Sequence, residues 1–430
     1  MSGGANGGAA GGFVSGGSGA AGQGVGGTSS GGSGGALNGG TGPGGTKGVP
    51  EGGGGSAAAS GAPGLGGAAG MGTGGTSSGG RAPSGGAGGS GGTGGVGSSY
   101  PCDGDASGYE AVVRSSGGTW TAQRGGNTVY SGSSMAAAMQ AAIDSLTPGR
   151  TKKERVLVEG SGSIPNDTRV DVASYTVLNV CGTIDVTDAS GSGDRAPIYA
   201  RGRTDIEIPN VTITGVPLYG MFFRDVSNLH LGRIELRLNA GLGIRIDNHG
   251  ANRNNKVRNI RIDDVYVEGT SDQGVETYGV DGLTVGRVVA RDTGYSGLLL
   301  NDTINATVES VEADNAGAGT GYAAFRIANG AGRVGNEWPA DSIRVGQVVA
   351  RGGGRGIFCV SDSGGLTIER VDLADTGNNS ILLENCHNVR IATLEGRVSG
   401  GGQVRIAQRT DEHTPSSDIV LQNLEVTGTT

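Results

Sequence analysis

The chain has 430 residues, a formal net charge of −8 and 4% aromatic residues. That acidity argues against nucleic acid as a non-specific partner. No apolar run reaches the ~18 residues of a membrane span, and the four cysteines show no CxxC or Cys/His spacing that would suggest zinc.

Residues 1 to 98 are almost entirely Gly, Ala, Ser and Thr. They hold half of the 92 glycines, and their only charged residues are Lys47, Glu51 and Arg81. Such a stretch has too little apolar surface to offset its ordering entropy, so a disordered, flexible tether is expected over 1–98. A phosphate-binding glycine loop is the alternative, but no strand precedes these glycines and no helix follows them. Met1 is followed by Ser, Gly, Gly and Ala, with no basic or apolar leader region, so no secretory signal is visible. A long Gly/Ser tether suits an exported domain joined to something else. An extracellular or cell-surface location is therefore expected, with a leader lying upstream.

The segment 99–150 reads as a small meander followed by a capping helix. "EAVVRSS", "TWTAQRG" and "NTVYSG" alternate apolar and polar residues and are separated by glycines. In "SSMAAAMQAAIDSLTPG", Ser133 or Ser134 can cap a helix that Pro148-Gly149 ends. Met135, Met139, Ala142 and Leu146 fall on one face, which needs an apolar surface to cover.

From 151 to 430 one pattern restarts. Strand starts fall at Asp205, Asn228, Asn259, Gly282, Asn305, Ser342, Gly365, Asn388 and Asp418. Most are 23 residues apart, and the spacings of 31, 37 and 30 add an inserted loop. Each unit carries short runs of Val, Ile and Leu at alternate positions, divided by Gly, Asn, Asp and Thr corners. Units that cannot bury their own apolar face must stack on neighbours. Short strands at this period predict a parallel β-helix of nine to eleven coils, the Ala-rich helix capping its N-terminal end. Cys102 and Cys181 could pair, tying the start of the domain to an early repeat. Cys359 and Cys386 lie about one repeat apart, as neighbours in space would. The alternative is that all four are small buried residues.

These coils, the capping helix and the Asn-rich corners resemble the right-handed parallel β-helix of the pectin-lyase-like superfamily, over roughly 150–430. The runs "YPCDGDASGYEAVV" and "SGSIPNDTRVDVASYTVLNVCGTIDV" also resemble uncharacterised secreted microbial β-helix proteins, which implies export. The resemblance implies an all-β fold, a right-handed parallel β-helix solenoid with an N-terminal capping helix and a disordered Gly-rich tract. It also implies a substrate groove along one strand face, walled by inserted loops.

The insertions 248–258, 329–341 and 408–417 all follow the same strand of the coil. That strand places Arg245, Glu276, Leu299 and Arg326 in one outward column and Asp247, Tyr278 and Asn301 in a second. His249 and Trp338 lie on adjoining loops. In the polygalacturonase-like members, Asn-Thr-Asp, Asp-Asp, Gly-His-Gly and Arg-Ile-Lys occupy successive coils. Residue by residue, Asp272 matches one aspartate of Asp-Asp, Asn239 alone survives of Asn-Thr-Asp, Tyr295 stands where the histidine would be, and Arg326 is the nearest arginine. Pectate lyases hold calcium on clustered aspartates, and no comparable cluster lies on this outward face.

The expected catalytic residues are Glu276, Asp247 and Asp272, since two carboxylates across a groove can act as acid and base. Neighbouring Arg favours an ionised Glu276 as base or nucleophile, with Asp247 as proton donor. Expected substrate contacts are Arg245, His249, Tyr278, Tyr295, Asn301, Arg326 and Trp338. The bland alternative is a ladder of structural ion pairs and corner hydrogen bonds. The functional expectation is a secreted, monomeric glycoside hydrolase or polysaccharide lyase acting on a polysaccharide, with uronic acid as one candidate constituent. A non-catalytic carbohydrate-binding or adhesive β-helix and a uronan epimerase are the alternatives. No cofactor or metal is expected, apart from calcium in the lyase case.

Overall fold

The computed structural model describes residues 100–188, 193–248, 256–317 and 321–428. The tether expected over 1–98 and the candidate His249 lie outside the described residues.

One helix and a long series of strands account for the described architecture. The helix Met135–Asp144 is capped by Ser134, whose side chain accepts from the Ala137 amide. Met135, Met139, Ala142 and Leu146 are buried, as their spacing predicts, in the same apolar core as the solenoid. The meander is not a separate module. Its first strand, Ala111–Ser116, pairs antiparallel with Thr119–Arg124 and parallel with Glu154–Glu159, so it forms the first edge of the solenoid sheet. Cys102 is bonded to Cys181, and Cys359 to Cys386.

The central coils consist of a long strand and a short strand, while Arg355–Ala374 and Asn379–Ser399 each run through both positions as one strand. The long strands include Thr204–Gly215, Ser227–Leu238, Val257–Glu268 and Val280–Arg291, each pairing parallel with the next in register. The short strands Tyr219–Arg224, Leu242–Asp247, Val275–Tyr278, Leu298–Asn301 and Phe325–Ala328 stack beside them in the same way. Inward Val, Ile and Leu fill the interior without a break, from Val156 to Val398.

The corners explain why the repeat restarts on Asn, Asp or Gly. Eight of the nine expected strand starts have a left-handed backbone, from Asn388 at φ 50° to Gly282 at φ 85°. At the ninth, the left-handed residue is Asp341, one position before Ser342. Most L-residues lose roughly 1–2 kcal/mol in this conformation, while Gly, Asn and Asp adopt it readily. The corner side chains also bond along the axis: Asn259 Nδ2 donates to Asn228 Oδ1 at 2.9 Å, and Asn305 Nδ2 to Asp281 Oδ1 at 2.7 Å.

Entry to the short strands has a different requirement. A Cβ on Gly243 would stand 2.2 Å from the Gly274 carbonyl oxygen, and one on Gly274 would stand 2.7 Å from that of Gly297. Glycine at these points lets successive coils approach closely and fixes where the following outward side chains emerge.

Candidate functional site

The short strands order their outward side chains by register. One column runs Phe222, Arg245, Glu276, Leu299, Arg326, Phe358, Leu382 and Arg405. A second runs Arg224, Asp247, Tyr278, Asn301 and Ala328. Two-residue alternation and a constant coil therefore place Arg245, Glu276, Asp247, Tyr278 and Asn301 on adjacent rungs, roughly 4.8 Å apart.

Their hydrogen bonds form one buried network. Arg224 grips Asp247 with both ends of its fork, Nε to Oδ1 at 2.8 Å and Nη2 to Oδ2 at 2.9 Å. Arg245 bridges the two carboxylates, Nε to Asp247 Oδ2 at 3.0 Å and Nη1 to Glu276 Oε2 at 2.8 Å. Asn301 Nδ2 donates to Glu276 Oε1 at 2.9 Å. Asp247 is only 1% exposed and Glu276 only 7%.

The two carboxylates, Asp247 and Glu276, sit in different electrostatic surroundings. Burial works against an ionised Asp247, but the hydrogen bonds and charges of Arg224 and Arg245 outweigh it and hold its pKa below the ordinary range. Such a group does not donate a proton. Glu276 has only a share of Arg245. Burial pushes its pKa up, and the charges of Asp272 and Asp247 add to that push, against Arg245 and Asn301. Asp272 is half-buried, and burial raises it as well, opposed by the Gln273 amide and by Arg245. Sequence spacing brings Arg245 beside Glu276 but does not reveal that Asp247 shares that guanidinium, or that Arg224 also closes on Asp247.

Aromatic groups flank the carboxylates. Tyr219 and Phe222 pack at 4.7 Å between centroids on the N-terminal side. Tyr295 and Tyr322 stack at 3.8 Å and 10° on the C-terminal side. The Arg326 guanidinium lies over Tyr322 at 5.7 Å and over Phe358 at 5.3 Å.

The inserted loops 329–341 and 408–417 are pinned down. Trp338 is only 7% exposed, stacks on His387 at 4.0 Å and lies under the Arg333 guanidinium at 5.3 Å. It therefore packs the loop onto the coil and offers no open ring face, unlike the substrate contact expected of it. His387 also meets Asp362, Thr414 and Ser417 at 2.9–3.0 Å, fastening the 408–417 loop. Between the loops lies a cavity of about 440 Å³, whose lining includes Tyr278, Asn301, Asp302, Arg333, Asp362 and His413.

Sequence reasoning missed Arg224, Arg355 and the His387–Asp362 pair. A signal existed for Arg224: "MFFRD" places it one coil before Asp247 in the same column. None existed for His387, whose partners lie on separate loops.

Residues 196–337 match a family model described as a right-handed beta helix region. The solenoid is a right-handed parallel β-helix. Two solved structures align with this β-helix. One is the receptor-binding protein of bacteriophage Det7, a podoviral tailspike in a myovirus, with 12% identity and a TM-score of 0.33 over 68% of this chain and 71% of that one. The other is the catalytic domain of a GH87 α-1,3-glucanase in complex with nigerose, with 11% identity and a TM-score of 0.35 over 69% of this chain and 63% of that one. No curated protein matches the chain.

Proposed function

We propose that the protein is an exported polysaccharide-active hydrolase whose substrate lies along the short-strand face. The observation that carries this reading is the division of its three gathered carboxylates. Asp247 is held ionised by two guanidiniums, while burial raises Glu276 and Asp272. Burial that raises a carboxyl's pKa lets it hold and exchange a proton closer to neutral pH, and a fixed anion beside the pair keeps Arg245 in place.

In this reading Glu276, the deeper of the raised pair, keeps the proton and gives it to the glycosidic oxygen as the bond to the sugar carbon breaks. Asp272, nearer solvent, takes a proton from the attacking water. Asp247 stays charged and holds Arg245 in place. The tyrosines on either side supply faces for sugar rings. A second reading, saccharide binding without turnover, draws on the ion pair that already occupies Glu276.

Reducing-end release from a panel of polysaccharides tests the choice. Hydrolysis predicts new reducing ends without unsaturated products, and a loss of about 10²-fold in Glu276→Gln. Unchanged turnover in that variant removes Glu276 from the site, and unsaturated ends would identify a lyase instead. Binding with no cleavage of any bound glycan favours the second reading.

A further inference from the structure

Beyond Glu276 the same face changes character. Arg326 lies two rungs further along its column, and Arg405 three rungs beyond that. Arg355 enters from the start of the neighbouring short strand, and Arg409 from the 408–417 loop. Arg326 and Arg355 lie over the single ring of Phe358, at 5.3 and 4.9 Å.

These arginines are short of partners. Among the described residues none of the four forms an ion pair, although arginines elsewhere on the solenoid commonly do, as at Arg237, Arg261 and Arg287. Arg355 is only 7% exposed. Its Nη1 and the Nε of Arg326 are buried and make no hydrogen bond with any described group. Arg355 Nε has one neutral acceptor, Asn379 Oδ1, at 3.3 Å. The charges also work on each other. Arg409 acts against both Arg326 and Arg355, and Arg405 acts against Arg355; the charge of Glu276 opposes this at Arg326 and that of Glu384 at Arg355. A buried guanidinium with unmet donors among like charges costs stability, so packing alone does not account for it.

We propose that Arg326, Arg355, Arg405 and Arg409 form an anion subsite, about 10 Å along the axis from Glu276 at its near end, that takes an oxyanion carried on a saccharide. The guanidinium fork suits a carboxylate or a sulfate ester equally well. Both inner guanidiniums pack on the ring of Phe358, which anchors them for the charged group. This rests on the saccharide-binding reading of the short-strand face and narrows it to acidic glycans.

The test uses the full chain and four probes: pentagalacturonate, dextran sulfate, neutral dextran and sodium sulfate. Calorimetric titration at low and high NaCl is run on the parent protein, Arg326→Met and Arg355→Met. The expected result is that at least one acidic glycan binds tenfold or more tighter than dextran and sodium sulfate. That binding should weaken with salt, and each substitution should reduce it at least tenfold. Without ligand, both variants should melt at or above the parent temperature, because each removes an uncompensated buried charge. Sodium sulfate binding as tightly as the glycans overturns the saccharide assignment and leaves a free-anion site. Dextran binding as tightly as the acidic glycans, unaffected by either substitution, overturns the subsite but leaves the saccharide face standing. If none of the glycans binds and both variants melt several degrees lower, the arginines are structural and both readings fall.

Discussion

The long-strand and short-strand faces of this solenoid are built on the same coil, yet they handle charge in opposite ways. On the long-strand face, arginines mostly meet carboxylates near the surface. Arg287 and Glu312 pair at 2.9 Å with side chains 49% and 41% exposed, and Arg237 meets Glu268 at 3.0 Å. Such pairs contribute little and are screened by salt. On the short-strand face, Arg245 serves two carboxylates, Asp247 is sealed, and Arg326 and Arg355 have buried donors with no hydrogen-bond partner among the described residues. Stability alone gives no reason to bury charge on one face when the other keeps it in water. The proposed function takes the short-strand face, where charge is buried, as the site, and leaves the long-strand face as solvated surface.

That contrast can be broken most sharply at Asp247. Asp247→Ala leaves Arg224 and Arg245 without their shared anion, and a loss of about 3 kcal/mol in denaturant unfolding is expected. A loss below 1 kcal/mol would make this pair equivalent to the exposed ones.

Glu276 should behave in the opposite sense. Its folded pKa is raised, so the native state holds the proton more tightly than the unfolded chain. Its contribution therefore declines as pH rises from its ordinary value of 4.5 through the folded value. Glu276→Gln should accordingly gain stability relative to the parent as pH increases through that window. A relative loss with rising pH would mean that Arg245 dominates. The lowered Asp247 gives the reverse trend, its stabilisation being lost as pH falls below 3.8 through the folded value.

His230 offers a titratable site on the long-strand face. It meets Glu207 at 3.3 Å and Asp263 at 2.8 Å, while Lys153 and Arg261 bond the same two carboxylates. The hydrogen bond to Glu207 leads in raising the His230 pKa, and the bond to His230 leads in lowering Glu207 to about 2. The histidine contributes full stability below pH 6.5, lost as pH rises through its folded value. Glu207 contributes above pH 4.5, and its share is lost as pH falls towards about 2. A melting-temperature plateau between these limits should lose its alkaline edge in His230→Asn. The smallest effect is expected at Arg287→Ala, below about 1 kcal/mol and smaller still in high salt.

Much of the fold was legible because the β-helix reuses a few local rules. Asn, Asp and Gly announce left-handed corners, alternation separates inward Ile244 and Ile246 from outward Arg245 and Asp247, and the 23-residue period sets which rungs meet. The site was legible only as columns. Sequence places Arg245 next to Glu276, but burial and the sharing of one guanidinium decide in which direction each carboxyl's pKa moves, and neither is visible in the register alone. Trp338 carries the same lesson. A tryptophan on an inserted loop suggests a sugar platform, but whether its face is open depends on His387, 49 residues away, and on Arg333.

The most direct measurement is a carbon-13 NMR titration of the carboxyl groups in the full chain, with Glu276→Gln and Asp247→Asn to assign the signals. Glu276 should titrate above 4.5 and Asp247 below 3.8. If Glu276 titrates below 4.5, its ion pair with Arg245 outweighs burial, the short-strand face is a ladder of salt bridges, and Glu276 is not the acid.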